Sequence, residues 1–229
     1  MTDWYWQAGS LRCRLLDRWQ HYFLTKNQSP PPNALFAKQV HGNRCVYGLA
    51  LVQQALEADG LWLDGKGARS IWVCTADCVP ILVGDSQRGT VAAIHSGWRG
   101  TAAKILPLMV ETLQQQGSHL EDLLFALGPA ISGENYQVGQ EVADRVLSTI
   151  SQPVGVLPDP SPGHARLDLR LVQQQQLLEL GVPPHHIAIA PYCTYANPHL
   201  FYSYRRSCHS QDSEIGKVQW SGITPWSPD

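Results

Sequence analysis

Three side chains in this sequence could together bind a metal ion: His41, Cys78 and His95. Each stands just after an apolar run, in a polar or glycine-containing turn. Functional side chains gather at such places, because a rigid scaffold holds the loop residues still. One thiolate and two imidazoles form a natural ligand set for Zn²⁺, and three protein ligands leave a fourth position open, as in catalytic rather than structural zinc. A water there would be acidified toward a pKa of about 7, giving a nucleophile at neutral pH. The spacing itself says little, since it contains no CxxC or HExxH pattern. On residue types alone the plainer alternative weighs more: Cys78 fills a core and the histidines satisfy local hydrogen bonds. The same alternative holds for His185, His186, Cys193 and Cys208.

The neighbours of these three extend the chemistry. Asp77 precedes Cys78. It could act as a general base or orient a histidine, or it could cap a turn through nearby amides. Lys38 and Arg99 flank two of the candidate ligands. A guanidinium offers a phosphate bidentate contacts and an ammonium offers a point charge, although surface cations are common. Gly97 and Gly100 bracket Trp98-Arg99, at what reads as the start of a helix, where backbone amides can meet an anion. Trp98 could wall a flat ring, or serve as core. Arg205 and Arg206 could bind an anion or close the domain.

Elements able to position these residues can be read from the apolar pattern. Strands are expected at 35–40, 45–51, 61–63, 70–74, 79–83, 90–94, 123–127 and 187–190, with the continuous runs among them buried on both faces. Helices are expected at 100–116, 138–150 and 168–180, the last closed by Gly181 and Pro183-Pro184. Turns are expected at 57–60 and 64–67. Residues 1–34 read as an opening segment with a proline-rich loop at 28–33. Mixed strands and helices without strict alternation imply one α/β domain over 1–229, a mixed central β-sheet flanked by helices.

Bulk properties exclude several classes. A net charge of −2 gives no reason to expect nucleic acid or an anionic membrane surface as partner. No apolar run approaches the length of a membrane span, and no signal peptide is read at the start. Six cysteines without dense spacing or a secretory signal fit reduced thiols, hence a cytoplasmic protein.

The stretches KQVHGNR (38–44), ADG (58–60), TADCVPIL (75–82), IHSGWRGT (94–101), GPAISGENYQVG (128–139), CTY (193–195) and FYSYRR (201–206) occur in this order. Together they resemble the YfiH-like laccase-domain family of multicopper polyphenol oxidoreductases, reinterpreted as zinc-containing purine nucleoside phosphorylases. The resemblance implies that His41, Cys78 and His95 are the metal ligands. It also implies phosphorolysis of adenosine, inosine, guanosine and methylthioadenosine, with deamination of adenosine as a second activity. Purine nucleosides and phosphate would then be the partners. Lys38, Trp98, Arg99 and Arg205 would be candidates for binding them, and Asp77 a candidate proton shuttle. Two other functions are implied: a copper-dependent phenol oxidase and a metal-dependent hydrolase acting on cell-wall precursors. Multicopper oxidases need many histidines, typically in His-x-His pairs, and this chain has nine and no such pair. One His₂Cys site could nevertheless take Cu²⁺. A structural-zinc binding module would need a fourth protein ligand. The sequence departs from the family in two places. Gln173 stands where asparagine is usual, although Asp168, Gln176 and Leu177 fit, and SYRR continues into a divergent tail over 207–229 in place of an acidic residue and a TGR-like segment.

Overall fold

The chain opens with three antiparallel strands, β1 (Trp4–Gln7), β2 (Ser10–Cys13) and β3 (Gln20–Phe23). Next come β4 (Cys45–Tyr47) and β5 (Gly60–Leu63), paired in parallel, then β6 (Ile71–Thr75), β7 (Val79–Asp85) and β8 (Val91–Ser96). Helices α1 (Trp98–Ala102) and α2 (Ile105–Gln115) lead to β9 (Leu123–Leu127). A small layer follows, made of β10 (Gln137–Gly139), α3 (Gln140–Leu147), β11 (Val156–Pro158) and β12 (His164–Leu167). The chain then runs through α4 (Leu169–Glu179), β13 (Ile187–Ile189), α5 (Tyr204–Ser210) and β14 (Gln219–Thr224). This computed structural model describes residues 3–65, 69–211 and 213–226. The turn expected at 64–67 lies partly outside them.

The fold is a mixed α/β domain in three layers. A six-stranded sheet in the order β13-β9-β7-β8-β5-β4 forms the middle. Every residue of β7 and β8 is buried, because both faces of this sheet are covered. Ile81, Val83, Ala92, Ile94 and Phe125 face α2 and α4 through Met109, Val110, Val172 and Leu177. The alternate residues Leu82, Val91, Ala93 and Ala126 face a second sheet through Leu11, Phe23, Val73 and Ile223. That outer sheet has the order β1-β2-β3-β14-β6. Among the described residues no helix is long and apolar enough to cross a membrane.

Several expectations change here. The opening segment supplies three strands of the outer sheet, and the divergent tail supplies β14, hydrogen-bonded between β3 and β6. The expected helix over 100–116 is two helices, with Lys104 in left-handed backbone between them (φ 56°). Pro107 explains the break: an unbroken helix would drive its ring into the carbonyl of residue 103, whereas a restart at Ile105 places it in a first turn, where no amide is needed. No strand forms over 35–40, which makes only isolated bridges, Leu35 to Ile71 and Lys38 to Glu57. The helix expected from Val138 begins at Gln140, because Gln137–Gly139 pairs with β12 instead.

Candidate metal centre and its cavity

Cys78 sits at a corner. Ala76, Asp77 and Cys78 carry the chain from β6 in the outer sheet to β7 in the central sheet. So short a crossing puts Asp77 in left-handed backbone (φ 87°), which aspartate tolerates better than most residues. Its carboxylate accepts from the Thr194 hydroxyl at 2.6 Å and from the Arg205 amide at 2.7 Å, tying the corner to the CTY stretch and to α5. His95 lies near the end of β8, opposite Pro80 and so two residues along from Cys78. Gly97 must be glycine here, since a Cβ would lie 2.8 Å from the Cys78 sulfur.

Asp59 joins the third residue to these two. It is fully buried. One carboxylate oxygen accepts from His95 Nδ1 at 2.8 Å and from the His41 amide at 3.0 Å, and the other accepts from the amides of Gly42 at 2.7 Å and Val40 at 3.2 Å. These bonds hold His41 in left-handed backbone (φ 58°), which on its own costs a non-glycine residue about 1 kcal/mol. Because Nδ1–H of His95 donates to the carboxylate, Nε2 is the nitrogen turned to the cluster, where a bound metal would take the place of its proton. The ligand atoms of His41, Cys78 and His95 all lie within 4.8 Å of one another. The two imidazole rings are nearly perpendicular, 4.7 Å apart.

The electrostatics fit a cation. Burial pushes the Cys78 thiol up, but hydrogen bonds with His41 and His95 outweigh it and bring it down to about 7. Burial pushes His95 down, but Asp59 and Cys78 outweigh that and raise it to about 9. Asp59 is held below the usual carboxylate range, because His95 and the amides more than offset its burial. A corner that favours thiolate and a protonated imidazole, with a carboxylate behind it, also favours a metal ion among the same atoms. The donor set, its convergence and the outer carboxylate fit such an ion.

A cavity of about 700 Å³ opens beside the cluster. Trp98, Ile131, Tyr136 and Leu169 give it apolar and aromatic walls, and Arg205 and Lys217 bring positive charge. Besides the three candidate ligands, Asp77, Trp98 and Arg205 among the residues singled out from the sequence line it. Lys38 and Arg99 do not. Lys38 is exposed and pairs with Glu57 at 2.8 Å. Arg99 is exposed on α1, its guanidinium 4.3 Å from the Trp98 ring centre. Arg206 closes the domain, donating to the carbonyls of Thr194, Tyr195 and Phe201. Behind His95, buried Gln173 donates to the hydroxyls of Ser96 and Thr101.

The sequence reading assigned no role to Asp59, Tyr136 or Lys217. The first two lie inside quoted motifs (ADG and GENYQVG), which is the signal that could have found them. Lys217 lies in the tail, where the motifs end.

Known proteins resemble this chain in sequence and fold. The chain is 40% identical to the purine nucleoside phosphorylase slr1573 of Synechocystis sp., over 97% of each chain. It is 37% identical to the adenosine deaminase RL5 of an unknown prokaryotic organism, over 59% of this chain and 52% of that one. The crystal structure of YlmD from Geobacillus stearothermophilus superposes with a TM-score of 0.86 at 27% identity, covering 99% of this chain and all of that one. Residues 19–220 match the model of the multi-copper polyphenol oxidoreductase laccase family, and the chain belongs to that family.

Proposed function

We propose that this protein is a cytoplasmic, metal-dependent purine nucleoside phosphorylase, with deamination of adenosine as a second activity at the same site. The cavity carries the reading: about 700 Å³ suits a nucleoside, and it brings aromatic walls and an arginine to a His₂Cys cluster. The similarity to the Synechocystis phosphorylase over nearly the full length of both chains supports it.

In this reading His41, Cys78 and His95 hold the ion, with zinc the proposed metal. When bound it would supply a Lewis acid and a means of activating water, which deamination requires. Trp98 walls the flat base, while Asp59 keeps both histidines aimed. Arg205 is the phosphate-binding candidate. Its Nη1 donates to the Gln137 carbonyl at 2.8 Å, which fixes the guanidinium and leaves further N–H groups to an anion. Asp77 holds the corner in place through both oxygens and is the proposed proton shuttle for deamination.

The test combines metal analysis of the purified protein with chromatography of adenosine incubations, with and without phosphate. About one zinc per chain is expected. Adenine and ribose 1-phosphate should form only with phosphate. Absence of nucleoside turnover at full metal occupancy would sink the reading. Copper at the same ligands with oxidation of phenols would favour the alternative.

A further inference from the structure

Tyr136 has a hydroxyl that no described residue engages. The residue lines the cavity beside the metal cluster. Its backbone is pinned on both sides: its amide donates to Gly133 at 3.3 Å and its carbonyl accepts from Leu167 at 3.0 Å. The Arg205 guanidinium lies 5.2 Å from its ring centre, so the ring is held as well. Among the described residues the hydroxyl donates to no acceptor. Burial pushes the phenol up, and the neighbouring Cys78 pushes it further, so it stays a neutral O–H donor.

Several other groups at the cavity are engaged, sealed or exposed. Both oxygens of Asp77 accept hydrogen bonds, and Asp59 lies buried behind the histidines with four donors. The Thr75 hydroxyl has no partner either, but its oxygen is sealed below the cavity surface. Tyr204 is more than half exposed.

We propose that Tyr136 is a catalytic residue that donates its O–H to N7 of the departing purine. This rests on the phosphorolysis reading above. In that reaction an oxygen of hydrogenphosphate bonds to C1′ of the sugar. The C1′–N9 bond breaks, and its electron pair passes to the purine. The proton carried by hydrogenphosphate ends on the base, so a neutral purine and a sugar 1-phosphate dianion leave. While the pair arrives, negative charge builds across the five-membered ring, and a fixed donor at N7 offsets it.

Tyr136→Phe removes the hydroxyl and keeps the ring beneath Arg205. For guanosine, kcat should fall about 10²-fold while KM changes less than about threefold. Metal content and melting temperature should match the wild type. 7-Methylguanosine already carries positive charge on its ring and leaves without a donor at N7. The variant should therefore turn it over within about threefold of the wild-type rate. Equal losses on both nucleosides, or no loss on guanosine, would overturn the proposal. A second measurement needs no variant: wild-type protein should turn over 7-deazaguanosine, with C–H in place of N7, about 10²-fold more slowly than guanosine. Equal rates there would also overturn it. If the metal-loaded wild type turns over no nucleoside with phosphate, the phosphorolysis reading fails and this proposal with it. If the wild type is active and the variant equally so, this proposal fails alone.

Discussion

Two buried histidines in this molecule have opposite electrostatics. His95, at the end of β8, faces a carboxylate and a thiol, and its pKa is raised to about 9 despite burial. His21, on β3 in the outer sheet, is lowered to about 4 by burial. Its Nε2 accepts the Cys13 amide at 2.8 Å and its Nδ1 donates to the Trp19 carbonyl at 3.0 Å. One environment has been built around positive charge and the other around a neutral ring. Burial therefore does not mark a functional histidine; the partners do. The plain alternative weighed for every histidine in the sequence, a satisfied core side chain, is realised at His21. At His95 the same degree of burial comes with Asp59 and Cys78, and the result is a place for a cation.

The surest way to break this comparison is to remove the thiol. Cys78→Ala should lose both the metal and the activity, read by metal analysis and nucleoside turnover. Full activity in that variant would reject the assigned site. A subtler change makes the surroundings of His95 resemble those of His21. Asp59→Asn keeps the shape but removes the charge behind the imidazole and frees its tautomer. Metal affinity should drop about 10–100-fold in competition with a chelator, the usual effect of losing such a partner. Unchanged affinity would mean that Asp59 only folds the 40–42 turn.

The central layer was legible in the sequence because its strands are buried on both faces. Continuous runs such as Val79–Val83 leave little ambiguity. Of the outer sheet only β6 was legible, as the strand expected at 70–74, and the rest was not, for two physical reasons. Strands β1, β2 and β3 mix Trp, Tyr, Arg and Gln in no continuous apolar run, since only one face of the sheet packs on the core. Its middle is also assembled from opposite ends of the chain, Ser221 pairing with Phe23 and with Val73. No local pattern encodes that pairing. The site divides in the same way. His41, Cys78 and His95 stand in distinctive stretches, whereas Asp59 sits in an ADG turn like many others. It becomes the partner of His95 only when β5 and β8 pair Gly60 with Ile94.

His21 makes a prediction of its own. Its pKa is lower in the folded chain than its ordinary 6.5, so the unfolded chain binds the proton more readily. The stability tied to this neutral ring is fully present above about pH 6.5 and drains as pH falls toward 4. At pH 5 the loss should be on the order of 2 kcal/mol, because the unfolded chain takes up a proton that the folded ring, desolvated by burial, does not. Urea unfolding at pH 7 and pH 5 measures it, and His21→Gln should flatten the dependence. A variant with the wild-type slope would place the acid sensitivity elsewhere and undo the contrast with His95.

The smallest effect is expected at the cavity rim, where positions are held less tightly than at the corner. Glu214 pairs with Lys26 and lies 3.7 Å from Arg206, and its carbonyl accepts the Lys217 amide at 3.0 Å, so the tail is anchored beside the cavity. The Lys217 side chain is exposed, with its ammonium 5.9 Å from the Tyr202 ring centre. Its charge therefore reaches a bound anion largely through solvent, where such contacts contribute about 0.2–1 kcal/mol. Lys217→Ala should raise the KM for phosphate about twofold to fivefold, leave kcat and metal content unchanged, and show a smaller effect as salt is added. A loss of kcat as large as that of a ligand variant would mean that the rim, like the corner, carries the chemistry. Partners would then not be what separates a working side chain from a structural one, because Lys217 lacks the buried carboxylate and thiol that define His95.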